Sequence, residues 1–368
     1  MTTEGTTEAA RPAATLPSTA LVVGCGLIGT SVALALRSRD VQVHLRDAVP
    51  GVAEVAASVG AGTVAPAEAP DLVVVAVPPS VVPATVLELL AEFPEAVVTD
   101  VASVKAPVAR AVAGTPGASR FVGGHPMAGT ERSGPTAGSA LLFEGRPWAV
   151  VPLPESSDRA LALVTAVVHA VEAVPTVLEA DRHDEAVALV SHVPHVVSVL
   201  TAGLLASAPR EHVDLAGPGL RDVTRIAGSA TGMWLQILDS NAGAVTTLLK
   251  SLRGDLDRVL DALDAGGDVL AGRLSDVLDA GRAGTQRIPG KHGEIRTVSA
   301  SVFVPVDDRP GVLSQLMADI GDSGVNIEDF RIDHEYGRPV GLAQVEVAAD
   351  RADHLTTSLT TRGWPAYR

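Results

Sequence analysis

The sequence is poor in cysteine, in aromatic residues and in long apolar runs. With one cysteine, Cys25, among 368 residues the chain has no internal disulfide, which suits a reducing compartment. Aromatic residues make up 3% of the chain, so its cores must be aliphatic. No apolar run has the length of a membrane span, and the first 17 residues lack the basic-then-apolar order of a signal peptide. We therefore predict a soluble, cytoplasmic protein with a disordered tail over residues 1–17.

Positive charge is also scarce. A formal net charge of −15 disfavours nucleic acid and anionic membranes as partners, although a few placed arginines can still bind a small anion. A chain of this length can form two or three domains, each with its own core. The expected partners are therefore small molecules.

A glycine motif follows the first apolar run, Thr19–Val23, and an apolar helical stretch follows the motif. Strand, glycine turn and helix is the context in which G-x-G-x-x-G indicates dinucleotide binding. The first glycine permits the turn, the second lets the pyrophosphate approach the backbone, and the third lets helix and strand pack closely. The predicted cofactor contacts in this turn are Gly24, Gly26, Leu27, Ile28 and Gly29.

The residues after the second predicted strand, Val41–Leu45, bear on the choice of cofactor. Asp47 lies about 23 residues beyond Gly24, where an acidic residue binds the ribose hydroxyls of NAD. Arg46 complicates this interpretation, since an arginine here can receive the 2′-phosphate of NADP. We predict that both residues contact the cofactor and that the cofactor is NAD rather than NADP.

Two further apolar runs, Leu72–Val77 and Ala96–Val98, continue the alternation of strands and helices. Continuous valine runs are typical of a parallel sheet that is covered on both faces. In such sheets ligands bind beyond the carboxyl ends of the strands. Val77 and Pro78, at the end of the first run, are therefore predicted cofactor contacts.

Three residues suited to polar chemistry also follow predicted strands. Ser103 and Lys105 come after the fourth strand, and His125 comes just after an apolar strand over Phe121–Gly123. Histidine is the side chain best suited to exchange a proton near neutral pH. We predict that His125 and Ser103 are catalytic and that Lys105 binds substrate. The alternatives are a histidine that caps a strand-to-loop turn and a serine that caps a helix.

From about His183 to Val277 the pattern is mostly helical. On an ideal helix Asp184 and His195 project within roughly 20° of each other and His192 lies about 60° away, so one face gathers a carboxylate and two imidazoles. Pro194 is expected to kink the helix there. The histidines could also be hydrogen-bonded core residues or metal ligands, but no further ligand has fitting spacing, and we predict no metal.

A glycine-rich segment then delivers two arginines, Arg221 and Arg225, with Asp222 placed to orient the second. Arginine is suited to bidentate carboxylate recognition, although a surface ion pair is the simpler interpretation. Trp234 follows and either lines a ligand ring or packs in a core. An apolar stripe along residues 242–263 suits packing between helices, including helices of two subunits.

Residues 283–296 are glycine-rich, polar and basic, and are predicted to be a linker. The pattern after it predicts a βαββαβ module, with strands over Val298–Val306, Ile327–Asp333 and Val340–Ala348 and a terminal strand. Its first helix begins with a proline and exposed amides, which suits a small carboxylate or amine. The predicted regulatory contacts are Asp308, Pro310, Gly311, Asn326 and Ile327.

In this order, the motifs resemble those of the prephenate/arogenate dehydrogenase family of tyrosine biosynthesis with an appended ACT domain. The matching motifs are Gly24-x-Gly26-x-x-Gly29, Asp100-x-x-Ser103-x-Lys105, His125-Pro126-Met127-Ala128-Gly129-x-Glu131, His183-Asp184 with Ser191-His192-x-Pro194-His195, and Arg221-Asp222-x-x-Arg225. The catalytic resemblance spans roughly residues 19–270, and the ACT resemblance covers 298–368.

The resemblance implies three domains: an α/β Rossmann-type NAD-binding domain (18–179), an all-helical substrate and dimerisation domain (180–282) and, after the linker, a ferredoxin-like ACT regulatory domain (297–368). It implies a homodimer, prephenate or arogenate as substrate, and feedback by tyrosine or another aromatic amino acid. His125 would take the proton of the ring C4 hydroxyl as Ser103 steadies it. The other implied roles are Arg225 for a substrate carboxylate, held by Asp222; His195 for positioning; Glu131 for gating; Trp234 for closing over the ring; and Asp184 and His192 for support.

Two other functions are compatible with parts of the sequence. A β-hydroxyacid-type dehydrogenase shares the architecture but usually relies on a lysine of its helical domain, where this chain has histidines. A non-catalytic amino-acid sensor is disfavoured because His125, Ser103 and Arg225 are all present. Prephenate and arogenate are not separated, because an acidic group for the ammonium of arogenate could be Asp181, Asp184 or Asp222.

Overall fold

The computed structural model describes residues 15–129, 132–289, 298–334 and 340–368. The chain divides into two compact units, one up to Ser251 and one from Leu252 onward. Most of the predicted tail, residues 290–296 of the predicted linker and residue 297 lie outside the described residues.

A seven-stranded sheet organises the first unit. Its strands are β1 (Thr19–Val23), β2 (Gln42–Arg46), β3 (Leu72–Val75), β4 (Val97–Asp100), β5 (Phe121–Pro126), β6 (Pro147–Pro152) and β7 (Val174–Val177). The strand order is β2-β1-β3-β4-β5-β6-β7, and all neighbours are parallel except β5 and β6. The order reverses between β1 and β3, which creates a crevice at the carboxyl ends of these two strands.

Five helices flank this sheet: α1 (Leu27–Arg37), α2 (Val52–Ser58), α3 (Val82–Glu92), α4 (Ala106–Val112) and α5 (Asp158–Ala170). Buried residues of α1, α2 and α5 share one apolar core, and those of α3 and α4 share another. Because both faces are covered, the valine-rich strands β3 and β4 are buried along their whole length. The predicted parallel, doubly covered sheet is therefore confirmed.

The end of this sheet differs from the prediction in two ways. β5 and β6 are antiparallel, and the described residues between them form no α-helix of the kind that a parallel crossover needs. β5 also extends to Pro126, so His125 lies within the strand, opposite Ala149, rather than after it. Pairing with β6 holds the histidine backbone in the sheet.

The rest of the first unit is helical. The elements are α6 (Ala180–Val187), a π-helical turn (Ala188–His192), α7 (Val193–Gly203), α8 (Arg210–Val213), α9 (Pro218–Thr224), α10 (Thr231–Ser240) and α11 (Ala242–Ala265), which continues into the second unit. The π-helical turn has more residues per turn than an α-helix and lies just before Pro194, which has no N–H to donate. The predicted angles are those of an ideal helix, and the common face of Asp184 and His195 stays a prediction; Asp184, His192 and His195 are all buried. The predicted kink falls at the π-helical turn.

One described helical stretch, Ala180–Ser207, is long and apolar enough to cross a membrane when judged by length and composition alone. The prediction that no run has this length is therefore wrong. The same stretch contains His183, Asp184, His192 and His195, all of them buried among protein groups. Core helices of globular proteins pass this test as well, and the cytoplasmic localisation stays a prediction.

The second unit contains α12 (Gly267–Gln286), β8 (Ser299–Asp307), α13 (Val312–Asp322), β9 (Asp329–His334), β10 (Val340–Ala348) and α14 (Ala352–Thr361). The strands form an antiparallel sheet of order β8-β10-β9. Alternate residues of β8 and β10 are buried in a core shared with α13 and α14. The predicted terminal strand is reduced to a single bridge between Phe303 and Tyr367, and α12 takes up the first four residues of the predicted linker.

Candidate functional site

The glycine turn between β1 and α1 has the geometry of a dinucleotide cradle. Gly24 has a φ of +94°, and a Cβ there would lie 2.4 Å from the carbonyl oxygen of Ala76. A Cβ on Gly29 would lie 1.9 Å from the carbonyl oxygen of Gly24, so the third glycine is required for packing. A Cβ on Gly26 would meet nothing within 4 Å. The open space lies where a pyrophosphate approaches the backbone, and the turn therefore fits NAD.

Two further predicted cofactor residues in this turn, Leu27 and Ile28, form the start of α1. No acidic residue occupies its first turn, so its free amides and partial positive charge are available to a phosphate. Val77 and Pro78 follow β3, directly after Ala76, whose carbonyl group packs against Gly24. The predicted phosphate-side contacts therefore come together at the crevice of the sheet.

The acidic residue after β2 is tied to the same turn. Asp47 accepts hydrogen bonds from the backbone N–H of Cys25 (2.7 Å) and of Val49 (2.8 Å). Burial and the nearby Asp47 carboxylate raise the pKa of the Cys25 thiol to about 12, so this cysteine is chemically inert at neutral pH. Arg46, in contrast, pairs with Glu92 of α3 through both of its terminal nitrogens, at 2.7 and 2.8 Å.

His125 is half-buried near the carboxyl end of β5 and is hydrogen-bonded to a second histidine. Its Nδ1 lies 2.9 Å from Nε2 of His183 on α6, and the two rings meet edge to face. Nδ1 of His183 in turn lies 2.8 Å from Oδ1 of Asp184. A carboxylate only accepts, so His183 donates from Nδ1, and an imidazole with this single N–H accepts at Nε2. His125 must then donate from Nδ1, and its Nε2 carries the free lone pair of a base.

Asp184 is fixed by the start of α4. Its two oxygens accept hydrogen bonds from the backbone N–H groups of Lys105 (2.7 Å) and Ala106 (2.8 Å). It therefore caps the helix, a role for which Ser103 was an alternative candidate. Ser103 is half-buried in the bend between β4 and α4. This cap ties the loop that carries Ser103 to the helix that carries His183.

His183 lies in one of the matching motifs, but no role was predicted for it. It is 1% exposed, and its hydrogen bond to His125 joins residues 58 apart in sequence. The adjacent His-Asp pair was the available signal, because a carboxylate next to an imidazole often sets its tautomer.

The electrostatic surroundings keep His125 neutral. Burial lowers the pKa of His125 well below its ordinary value of 6.5, and nearby His183, Lys105 and His192 lower it further. A histidine that is neutral at pH 7 can accept a proton, as a general base must.

Lys105 is 2% exposed, and its amine bonds to the Asp100 carboxylate and to the Gly124 carbonyl oxygen (2.7 Å). Burial lowers its pKa although Asp100 opposes the shift. Its amine is therefore bonded to protein groups, one of which belongs to Gly124, the residue that precedes His125. This placement argues for a positioning role instead of the predicted substrate contact.

A second aromatic cluster lies along α7 and α10. The rings of His195 and Trp234 stack at 3.5 Å between centroids, and His192 meets Trp234 edge to face at 6.0 Å. Asn241 bridges the clusters, because its amide donates to the Asp184 carbonyl oxygen (2.8 Å) and lies 3.2 Å from Nδ1 of His192. Burial lowers the pKa of His192 to about 4. The support role predicted for Asp184 and His192 fits these contacts.

The predicted substrate arginine lies next to this cluster. Arg225 is exposed at the start of a short 3₁₀ turn, Arg225–Gly228, which packs against α7. His195 hydrogen-bonds to the backbone of Ile226 in this turn, and burial lowers its pKa. Asp222 is exposed on α9, one turn earlier. Glu131 lies outside the described residues.

In the second unit, the predicted regulatory residues lie at two loops of the small sheet. Asp308 and Pro310 are exposed between β8 and α13, and Gly311 caps α13 with a φ of +92°. Asn326 donates to Glu328 at 3.2 Å, and Ile327 packs against the core. The first loop exposes the start of α13, as the sequence predicted.

Two family models match the chain. Residues 32–177 match the model described as prephenate dehydrogenase, nucleotide-binding domain, and residues 179–269 match the one described as prephenate dehydrogenase, dimerization domain. A relative from Streptomyces niveus, described as the probable prephenate dehydrogenase NovF, is 36% identical over 359 residues. That match covers 95% of this chain and 99% of the relative.

Two solved structures are similar to the chain at 26% identity. The prephenate dehydrogenase from A. aeolicus, in complex with hydroxyphenyl propionate and NAD+, has a TM-score of 0.63 and covers 72% of this chain and 98% of its own. The Synechocystis arogenate dehydrogenase has a TM-score of 0.62 and covers 73% of this chain and 99% of its own.

Proposed function

Because the chain belongs to the prephenate dehydrogenase family and is an NAD-dependent prephenate or arogenate dehydrogenase, we propose that it converts prephenate to 4-hydroxyphenylpyruvate with His125 as general base. The hydrogen-bonded chain from His125 through His183 to Asp184 is the observation that carries this proposal. It supports His125 as the base, because it leaves the lone pair of Nε2 available on a histidine that burial keeps neutral.

The reaction follows from that base. Prephenate has a hydroxyl at ring C4 and a carboxylate on the opposite ring carbon. NAD, when bound, accepts the hydride that leaves C4. Nε2 of His125 takes the proton of the hydroxyl, the ring carboxylate leaves as CO2, and the electron pair it leaves behind completes the aromatic ring as a phenolate. The C4 oxygen then takes a proton back from His125, which gives the hydroxyl of the product and restores the base. The aromatic product supplies the driving force.

Other residues orient the substrate in this proposal. Arg225 binds a substrate carboxylate in bidentate fashion and Asp222 holds the arginine. Ser103 hydrogen-bonds the C4 hydroxyl, His195 and Trp234 form one side of the pocket, and Glu131 gates it. The stacked rings of His195 and Trp234 support this, since His195 is hydrogen-bonded to the backbone of Ile226 in the turn that carries Arg225. Holding the substrate in one orientation accounts for a large part of the rate enhancement.

Arogenate is the second candidate substrate. It differs from prephenate by an amino group in place of the side-chain keto group. The similarity to the Synechocystis arogenate dehydrogenase supports it as a candidate substrate. Among the acidic candidates, Asp184 is buried and has both oxygens bonded to backbone N–H groups, which leaves Asp222 and Asp181 as the exposed carboxylates. An ammonium contact with either would favour arogenate.

We further propose a homodimer formed through the helical region. The match to a dimerisation domain over residues 179–269 supports it. The predicted apolar stripe of α11 also supports it, because its leucines are about half exposed in one chain (Leu252 41%, Leu256 55%, Leu260 50% and Leu263 56%).

We propose that residues 298–368 form an ACT-type regulatory module that binds tyrosine or another aromatic amino acid. The β8-β10-β9 sheet, with Tyr367 bridged to the outer edge of β8, supports this assignment. The loop Asp308–Gly311 would hold the amino-acid backbone at the start of α13.

NADH absorbance measures the proposed reaction directly. Purified enzyme with NAD is given prephenate and arogenate separately, with and without tyrosine, and NADP replaces NAD in a parallel series. We expect NADH formation with prephenate and a change in rate with tyrosine. His125→Asn should bind NADH normally and lose at least about 100-fold in kcat. Near-normal turnover in this variant would refute the base assignment, and no turnover with either substrate would refute the proposed reaction.

A further inference from the structure

A cleft of about 270 Å³ opens at the end of β2, where Asp47 is hydrogen-bonded to the glycine turn. Both Arg46 and Asp47 line it, together with the loops 49–51 and 64–67. Because Asp47 is the acidic residue that follows β2, the ribose of a bound dinucleotide lies at this cleft. The side chains around it therefore decide whether a 2′-phosphate is accepted.

Arg46 is the only cation among the residues that line this cleft. It already forms an ion pair with Glu92. The two oxygens of Glu92 hold its two terminal nitrogens at 2.7 and 2.8 Å, in the bidentate geometry that fits a guanidinium to a carboxylate. Its guanidinium also lies over the Phe93 ring, 5.7 Å from the centroid. The hydrogen bond raises the pKa of Arg46 and lowers that of Glu92, as expected for a charged pair.

The carboxylate of Asp47 is a second feature that disfavours a 2′-phosphate. This carboxylate is held in the turn by the N–H groups of Cys25 and Val49 and so presents a fixed negative charge to the ribose. That charge favours two hydroxyls and repels a phosphate. An unpaired arginine could approach the phosphate and offset this repulsion, but Arg46 is paired with Glu92.

We propose that Glu92, on α3, is a specificity-determining residue that favours NAD over NADP by pairing with the Arg46 guanidinium that would otherwise bind a 2′-phosphate. The inference rests on the dinucleotide site of the proposed function and goes beyond it, because Glu92 itself need not touch the cofactor. It acts through Arg46 and is a positioning residue.

The test is a fluorescence titration of the full-length protein with NADPH and with NADH. Glu92→Gln releases Arg46, and a surface ion pair of up to about 1 kcal/mol corresponds to about a fivefold change. We expect the Kd for NADPH to fall about fivefold while that for NADH changes less than twofold. Glu88→Gln, which removes an exposed carboxylate one turn earlier on α3, is the matched control and should leave both constants unchanged.

Arg46→Gln in the Glu92→Gln background separates the proposed cause from a general loss of negative charge. The gain for NADPH should disappear in this double variant. An unchanged NADPH Kd in Glu92→Gln, or a gain that survives without Arg46, would overturn the proposal. Thermal unfolding of each variant checks the fold, and Glu92→Ala provides a second replacement. Binding is measured without turnover, so a failure of the proposed reaction gives a different result from a failure of this inference.

Discussion

At the scale of single residues, proton positions at the site are set by one carboxylate. Asp184 accepts from His183, His183 accepts from His125, and the basic atom of His125 follows from these two bonds. The buried His183 therefore fixes the tautomer of His125, the proposed base. Its effect on the reaction should be separable from its effect on the fold.

Replacing His183 by Asn tests that control. Without an acceptor for Nδ1–H the ring of His125 loses its fixed tautomer and orientation, and we expect kcat/KM to fall about 10- to 100-fold, a part of what a positioned base contributes. His183 also helps to lower the pKa of His125. Its removal should shift the acid limb of the pH profile of kcat/KM to higher pH, as measured with prephenate and NAD.

The matched control for this variant is His169→Asn on α5, an exposed histidine. It should change neither the rate nor the pH profile, and both variants should bind NADH normally. A loss of rate in His183→Asn with an unmoved acid limb would indicate a structural role only.

The buried histidines should also make the fold sensitive to acid. The pKa values of His125, His192 and His195 are all lowered by burial, that of His192 to about 4. The unfolded chain therefore binds more protons below about pH 6.5, and the free energy of unfolding falls as the pH drops from 6.5 toward 4. His192 alone corresponds to about 3 kcal/mol of this loss.

Urea unfolding of wild type and His192→Gln between pH 4.5 and 8 measures this contribution. Carboxylates titrate in both proteins and cancel in the difference. The variant should be less stable at pH 8 because its contacts are lost, and the gap between the two proteins should narrow as the pH falls. Parallel curves would show that His192 does not titrate with unfolding.

At the scale of elements, the glycine turn assigns different tasks to neighbouring glycines. A Cβ on Gly29 would collide with the carbonyl oxygen of Gly24, whereas a Cβ on Gly26 would point into open space. Gly26 also has a φ of −72°, which any residue can adopt. Packing therefore requires Gly29, and access of the cofactor requires Gly26.

Alanine at each position separates these tasks. Gly26→Ala should keep its melting temperature within about 2 °C and lose at least tenfold in NADH affinity, because the methyl group fills the pyrophosphate space. Gly29→Ala should lose about 1–3 kcal/mol of stability by overpacking. Thermal unfolding and NADH titration measure both effects. Equal stability losses would contradict the assignment.

At the scale of the whole molecule, the small C-terminal sheet has its own core. The buried residues from β8 to α14 pack together in one apolar cluster, separate from the two clusters on the large sheet. A module with its own core can be removed without opening the core of the catalytic unit. Regulation and turnover should therefore be separable.

A chain that ends at Gln286, the last residue of α12, tests this separation. We expect it to retain turnover with prephenate within about threefold and to lose the response to tyrosine. NADH absorbance with and without tyrosine measures both. A tyrosine response that persists in the shortened chain would place the effector site outside the module, and a wild-type chain without any response would remove the regulatory role.

The sequence by itself determined the local features of this protein. Gly24, Gly26 and Gly29 predict the cofactor turn because backbone geometry and close packing are local demands. The valine runs predict a covered parallel sheet because burial on both faces is written into each strand. The predicted roles of Ser103, Arg225 and Glu131 remain expectations, and Glu131 lies outside the described residues.

Only the tertiary structure decided which distant residues meet. The bond from His183 to His125 joins residues 58 apart, and the one from Asp184 to Lys105 joins residues 79 apart. The pairing of Arg46 with Glu92 depends on where the end of α3 lies relative to β2. An ideal helical wheel does not anticipate the π-helical turn that lies between Asp184 and His195. Side-chain partners across elements depend on packing distances that no spacing along the chain encodes.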